Sequence, residues 1–185
     1  MGAMSDDFDL LVRWQAGEPG AANTLVRRHQ STLEGFFRYK TAPEDVDDLR
    51  QQVWLELAKS RPTELRTGFR AYLLGIARHV FYRHCEKKQR AAVWDPLTTS
   101  LVDLDLSLSQ QVLQALGRRD LRAVLQLLPL DMQMLLEARY LHELTTVELA
   151  AMFGVPDGTI KSRLSTARRL LAAKLPAGAD FLPQR

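Results

Sequence analysis

The chain has a single cysteine, Cys85, among its 185 residues, so no internal disulfide can form and a reducing compartment is its natural home. Cys85 itself reads as a small side chain on a helix. Histidine is scarce as well, and His29, His79, His84 and His142 do not combine with Cys85 in a zinc-ligand spacing, so no metal is expected. No apolar run is long enough to span a bilayer, and the N-terminus lacks a basic segment followed by an apolar one. The expectation is a cytoplasmic protein with no membrane partner. A large charge excess is also missing: a net +3 is too small to indicate nucleic-acid binding by itself, so the placement of charge has to carry that argument. Alternating apolar and polar stretches are absent, as are turn pairs such as Asn-Gly, which leaves little room for strands. There is no glycine loop of the P-loop type. No paired carboxylates, nucleophile–base arrangement or metal spacing stands out from what helices already explain, so the chain is read as no enzyme, with no catalytic residue and no cofactor.

Helical periodicity is what the sequence does have. Met1-Gly2-Ala3 ahead of Met4 has the look of a cloning remnant, with the natural start at Met4. Phe8, Leu11, Val12 and Gln15 form an amphipathic segment that Ser5-Asp6-Asp7 can cap, and Glu18-Pro19-Gly20 breaks it. A second helix carries Ala22, Leu25, Val26, His29, Leu33, Phe36 and Phe37. Thr41-Ala42-Pro43-Glu44 starts a third, with Thr41 as the capping residue and proline in the opening turn. Val46, Leu49, Val53, Trp54 and Leu57 are its buried stripe, and Ser60-Arg61-Pro62 ends it. A long helix follows from about Thr67 to Arg90, with Phe69, Leu73, Ile76, Ala77 and Val80 facing inward. Trp94 to Ser100 reads as a domain boundary. Beyond it Leu113, Leu116, Leu121, Val124, Leu125 and Leu128 restore the pattern, and Pro129 opens a helix through Met132, Leu135, Leu136 and Tyr140. The fold class is all-α, two small helical domains joined by a linker: 5–91, then 92–109, then 110–175, with a tail at 176–185.

The most specific local pattern lies between Thr145 and Leu175. Thr145 and Glu148 have the capping-box spacing. Leu149 and Phe153 lie one turn apart, Ala150 is small where two helices approach, and Gly154 can take a positive backbone angle. Pro156-Asp157-Gly158 opens a second helix with Ile160, Leu164, Ala167, Leu171 and Leu175 as its stripe. The outer face carries Thr159, Lys161, Ser162, Arg163, Ser165, Thr166, Arg168 and Arg169. That is a helix-turn-helix whose second helix suits base edges and phosphates in a major groove. The simpler alternative is a solvated basic face, but the small residue, the turn glycine and the inward apolar positions all fall in register with it.

The N-terminal half holds two features of opposite sign. Glu44, Asp45, Asp47 and Asp48 crowd a helix start and run on to Gln51, Gln52 and Trp54. Arg78, His79, Tyr82, Arg83, His84, Lys87, Lys88 and Arg90 end the next helix. The basic helix suits a nucleic-acid backbone and unstacked bases, while the acidic one suits a basic protein partner. Two solvated helical faces would explain the same charges.

At this point the residues resemble a known family. Asp45-Val46-Asp47-Asp48-Leu49-Arg50-Gln51-Gln52-Val53-Trp54 is similar to a segment of the second conserved region of extracytoplasmic-function (ECF) sigma factors. Phe69-Arg70-Ala71-Tyr72-Leu73-Leu74-Gly75-Ile76-Ala77-Arg78-His79 resembles the segment that follows it. Leu128-Pro129 through Ala150, with Gly158 to Leu164, resembles the fourth region. The resemblance implies binding to core RNA polymerase, on the beta-prime clamp helices and the beta flap, and to promoter DNA, with an anti-sigma protein as a further partner. It implies polymerase contacts at Asp45, Asp47, Asp48, Gln51 and Trp54, and capture of the start-proximal strand by His79, Tyr82, Arg83, Lys87 and Lys88. It assigns upstream-element recognition to Lys161, Ser162, Arg163, Ser165, Thr166, Arg168 and Arg169. Gln52, His79, Arg83, Pro156, Ser165 and Thr166 depart from the family pattern. Gln52 implies a weaker clamp contact, and Pro156 leaves Asp157 as the local cap. His79 and Arg83 imply that the usual flipped base is not recognised, and Ser165 and Thr166 imply an unusual or weakly bound upstream element. The competing expectation is a helix-turn-helix regulator of duplex DNA that acts without docking on polymerase.

Overall fold

The computed structural model describes residues 2–60, 67–88, 95–97, 99, 100 and 124–174. Seven helices account for nearly all of them, and the only strand-like feature among them is an isolated bridge between Ser100 and Pro129. The N-terminal module is four helices: α1 (Gly2–Gln15), α2 (Pro19–Phe37), α3 (Pro43–Lys59) and α4 (Phe69–Lys88). The C-terminal module is three: α5 (Leu130–Tyr140), α6 (Thr146–Phe153) and α7 (Asp157–Lys174). The lone cysteine is a buried core residue of α4, and burial pushes its thiol up to about 12, so it stays protonated and unreactive.

Spacing dictates each buried face. On α2, Ala21, Leu25, His29, Leu33 and Phe36–Phe37 repeat at one-turn intervals, and on α3 Leu49, Val53 and Leu57 do the same. Long α4 crosses the module and buries Phe69, Ala71, Leu73, Leu74, Ala77, Val80, Phe81 and Cys85, touching α1, α2 and α3. His29 is a satisfied core histidine: its Nε2 lies 2.8 Å from Asp7 Oδ2, and its ring sits 4.9 Å from that of Phe69.

Two local expectations are corrected. Helix α1 already begins at Gly2, so Ser5-Asp6-Asp7 lie inside it rather than capping it, and Asp6 and Asp7 instead take the Arg28 guanidinium of α2, both at 2.7 Å. Ala42, not Thr41, is the N-cap of α3, with Pro43 following. Thr41 is buried one residue earlier, and its hydroxyl donates to Asp45 at 3.3 Å, with His84 Nε2 at 3.2 Å. Packing against α4 has claimed the side chain that a local rule would have given to the helix end. The leucines at 113, 116, 121 and 175, most of the 92–109 linker and the 176–185 tail lie outside the described residues.

The described part of the boundary segment is not loose. Leu130 N donates to Thr99 O and Asp131 N to Pro96 O, both at 2.9 Å, so the carbonyls of Pro96 and Thr99 satisfy free amides at the start of α5 that no side chain caps. The two modules also meet directly. Helix α4 packs along α6, close enough that a Cβ on Gly75 would stand 3.6 Å from Met152 O and 3.7 Å from its Cα. Gln126 reaches back to Tyr39 O at 2.6 Å, Arg70 to His142 O at 3.3 Å, and buried Lys40 pairs with Glu137 of α5.

Candidate nucleic-acid and polymerase interfaces

The C-terminal module builds its helix pair as the local pattern demands. Thr145 Oγ1 accepts from Glu148 N at 3.2 Å, and the Glu148 carboxylate takes Thr145 N at 2.8 Å, a complete capping box. Gly154 ends α6 with φ +67°, ψ 33°, the left-handed geometry that costs a residue with a Cβ about 1–2 kcal/mol. The chain then turns into α7, where Ile160, Leu164, Ala167 and Leu171 are buried against α5 and α6. Their rotation leaves Lys161, Ser162, Ser165 and Arg169 on one exposed stripe of a helix-turn-helix.

The seven residues expected at the upstream element therefore divide into two sets. Lys161 is exposed and tied to Asp157 at 2.6 Å, one turn earlier, and Lys161 in turn holds the Asp157 carboxyl below its ordinary range, with Thr146 adding to the effect. Ser162 donates to Thr159 O at 2.9 Å while remaining on the open face. Arg163, Thr166 and Arg168 lie at the edges of that face, half-buried. Arg168 Nε donates to the Tyr140 hydroxyl at 2.8 Å, and Arg163 turns towards Asp131 of α5, 3.7 Å away.

The acidic and basic features of the N-terminal module turn out to be neighbours. Lys88 Nζ lies 2.6 Å from Asp45 Oδ2, His84 Nε2 lies 3.6 Å from the same oxygen, and Arg83 pairs with Glu56. The hydrogen bond from Lys88 is the main reason the Asp45 carboxyl sits below its usual range, opposed by partial burial. On α3 this leaves Asp48, Gln51, Gln52 and Leu55 facing out, with Leu55 58% exposed. Asp47 is exposed as well and pairs with Arg50 at 2.9 Å. Trp54 is on the inner edge, packed against the core with its ring 6.4 Å from that of Trp14 on α1. On α4, His79, Arg83, Lys87 and Lys88 are exposed, whereas Tyr82 is half-buried with its hydroxyl donating to Asp131. Burial first, and the Asp131 charge second, hold the Tyr82 phenol far above its ordinary range, so it is a neutral donor.

Sequence reasoning missed several residues. Asp131, Gln133 and Glu137 are buried along with the apolar residues of α5, at 4%, 1% and 8% exposure. Polar residues on a helix are ordinarily assigned to solvent, and nothing local signals that this helix is enclosed on all sides. Exposed Leu55 was missed for the opposite reason, because an apolar residue beside a buried stripe reads as part of it.

Two helical modules, one ending in a helix-turn-helix with a basic, hydroxyl-rich outer stripe and the other pairing an acidic helix with a basic one, define a DNA-binding protein with a second, non-DNA partner surface. The comparisons give that class its family. Residues 25–91 match the family model "Sigma-70 region 2", and residues 118–171 match "Sigma-70, region 4". The RNA polymerase sigma factor HrpL of Pseudomonas syringae pv. syringae is 34% identical over 136 residues, 71% of this chain and 73% of that protein. The ECF RNA polymerase sigma factor SigC of Mycobacterium tuberculosis is 30% identical over 167 residues, 85% of this chain and 84% of that one. Among solved structures, CnrH bound to the cytosolic domain of CnrY superposes with a TM-score of 0.66 at 21% identity, over 94% of this chain and 99% of that one, a likeness of fold. The chain belongs to the RNA polymerase sigma factors of the extracytoplasmic-function group. It binds core RNA polymerase and directs promoter recognition, DNA melting and transcription initiation. The regulator that works without polymerase is set aside, because residues 25–91 match region 2 of the sigma factors.

Proposed function

We propose a division of labour among three helices. The outward face of α3, with Asp47, Asp48 and Gln51 and with Asp45 at its edge towards α4, holds the beta-prime clamp helices, and exposed Leu55 extends that face. The basic end of α4, through His79, Tyr82, Arg83, Lys87 and Lys88, takes the melted strand near the start site. Helix α7 reads the upstream duplex through Lys161, Ser162 and Ser165, while Arg163, Thr166, Arg168 and Arg169 serve its edges and phosphates, and the C-terminal module meets the beta flap. The observation that supports this most directly is the exposed stripe on a helix-turn-helix whose every buried position is apolar. Melting is driven by binding free energy, as stacking and phosphate contacts offset the lost base pairs, and no chemical step is catalysed. The site of action is the cytoplasm, where core polymerase works. An anti-sigma protein is a fitting regulator: the structural neighbour RpoE of Bartonella quintana was solved with the anti-sigma factor NepR, at TM-score 0.61 and 22% identity over 85% of this chain.

Run-off transcription by core bacterial polymerase, with and without the protein, on DNA from upstream of its own gene is the direct test. Protein-dependent transcripts with a fixed start are expected. Once a promoter is in hand, Lys161→Ala should cost about 1–3 kcal/mol of upstream-element affinity and alter base preference, if Lys161 contacts a base edge. A loss equal on all sequences would make it a phosphate anchor instead.

A further inference from the structure

Three side chains from two helices converge on one buried carboxylate of a third, at the seam between the modules. Asp131 Oδ1 accepts from Arg78 at 3.0 Å through Nη2 and 3.3 Å through Nε, and from the Tyr82 hydroxyl; Oδ2 stands 3.7 Å from Arg163. The Arg78 guanidinium is sandwiched as well, 4.5 Å from the Tyr82 ring and 4.7 Å from the Phe153 ring of α6. Asp131 has 5% side-chain exposure and Arg78 11%, so the carboxylate and its main partner are buried, while Arg163 keeps 24% of its side chain open. Its backbone is fixed too, since Asp131 N donates to Pro96 O of the boundary segment.

We infer that Asp131 is the centre of an interdomain latch that holds the free chain closed and keeps Tyr82 of α4 and Arg163 of α7 from DNA. The inference rests on the assignment of those two residues to DNA under the proposed function. Two of the groups on Asp131 are guanidinium ions, the side chains best shaped to take a phosphate in two parallel hydrogen bonds. A carboxylate offers the same planar pair of acceptor oxygens, so Asp131 occupies on the protein the contacts that a nucleic-acid phosphate would otherwise take. One side chain thus ties together the basic helix of region 2 and the recognition helix of region 4. Elsewhere in the closed seam Lys40 meets Glu137 and Gly75 meets Met152, and neither contact involves a residue assigned to DNA. Closure must then be given up before both modules can engage promoter DNA, and apparent affinity falls by the fraction of chain that is open.

Two variants of the full chain open the latch by different means. Asp131→Asn removes the charge at constant shape. Gly75→Leu drives a side chain into Met152, whereas Gly75→Ala places its methyl at ordinary contact distance and serves as the control. Size is read by small-angle scattering, against a compact radius of gyration of about 16 Å for this length. DNA affinity is read by fluorescence anisotropy with a random-sequence duplex at low salt, where phosphate contacts dominate. Both opening variants should swell and bind the duplex at least about tenfold more tightly than the parent chain, while Gly75→Ala matches it. If Asp131→Asn melts, the steric variant decides alone. Variants that keep the parent's size, or that swell with unchanged duplex affinity, overturn the latch. Swollen variants with no duplex binding at all would overturn the assignment of α7 to DNA, and the inhibition with it.

Discussion

Trp54 and Leu55 are adjacent on α3 and point in different directions, which allows folding and polymerase docking to be separated by two substitutions. Trp54 is part-buried and packs on Trp14. Removing a fully buried tryptophan side chain costs about 3–5 kcal/mol; for a part-buried one roughly half of that is expected, with the aromatic pair included. Trp54→Ala should therefore destabilise by about 2 kcal/mol, lowering the melting temperature by about 4–8 °C in a chain of this length. Leu55 is 58% exposed and supports nothing inside, so Leu55→Ser should change stability by less than about 0.5 kcal/mol. Polymerase affinity should show the reverse order. Leu55→Ser removes the apolar contact of the outward face and should weaken core binding by about tenfold, the loss of roughly 1–2 kcal/mol of apolar burial. Trp54→Ala, measured well below its melting temperature, should bind core polymerase within a factor of a few of the parent. The assays are thermal unfolding followed by circular dichroism and a core-polymerase titration of labelled protein. A Trp54→Ala protein with an unshifted melt and lost polymerase binding would refute this division, as would a Leu55→Ser protein that melts early.

Three further outcomes follow from the packing. Lys40→Met leaves the Glu137 carboxylate buried with only the Gln133 amide, 2.8 Å away, and should cost up to about 3–5 kcal/mol of closed-state stability in urea; Lys40→Met/Glu137→Leu should recover most of it, and a double variant no better than the single would refute a sealed pair. Burial, reinforced by the Lys40 charge, depresses His142 to about 4, so its neutral form is favoured in the folded chain and the unfolded chain binds the extra proton between pH 6.5 and 4. Stability is complete above pH 6.5 and falls as pH drops through that window, by about 2 kcal/mol at pH 5; His142→Gln should flatten this part of the melting-temperature profile, and an unchanged profile would exclude His142 as its source. Gly154→Ala must place a Cβ at φ +67° and should lower stability by about 1–2 kcal/mol, whereas Gly158→Ala, in open space at negative φ on α7, should not; equal effects at the two sites would discount the left-handed turn.

The sequence by itself determined the helices, the division into two modules and the helix-turn-helix, because these rest on interactions of short range along the chain. Leu49, Val53 and Leu57 recur at one turn, Thr145 and Glu148 satisfy each other's amides three residues apart, and Gly154 answers a backbone angle; each is legible within a window of about ten residues. The charged faces of α3, α4 and α7 were legible as composition. What they touch was not. That Lys88 neutralises Asp45, that Trp54 turns inward while Leu55 turns out, and that Asp131, Lys40 and Glu137 are sealed in a seam between modules depends on residues about 40–100 positions apart. Thr41 shows the limit most plainly: a good cap by local rules, it is buried against His84, and Ala42 begins the helix. Local patterns fix which way a helix can bury itself, but a polar side chain's partner is set by whichever distant element desolvates it. Only the tertiary structure decides that.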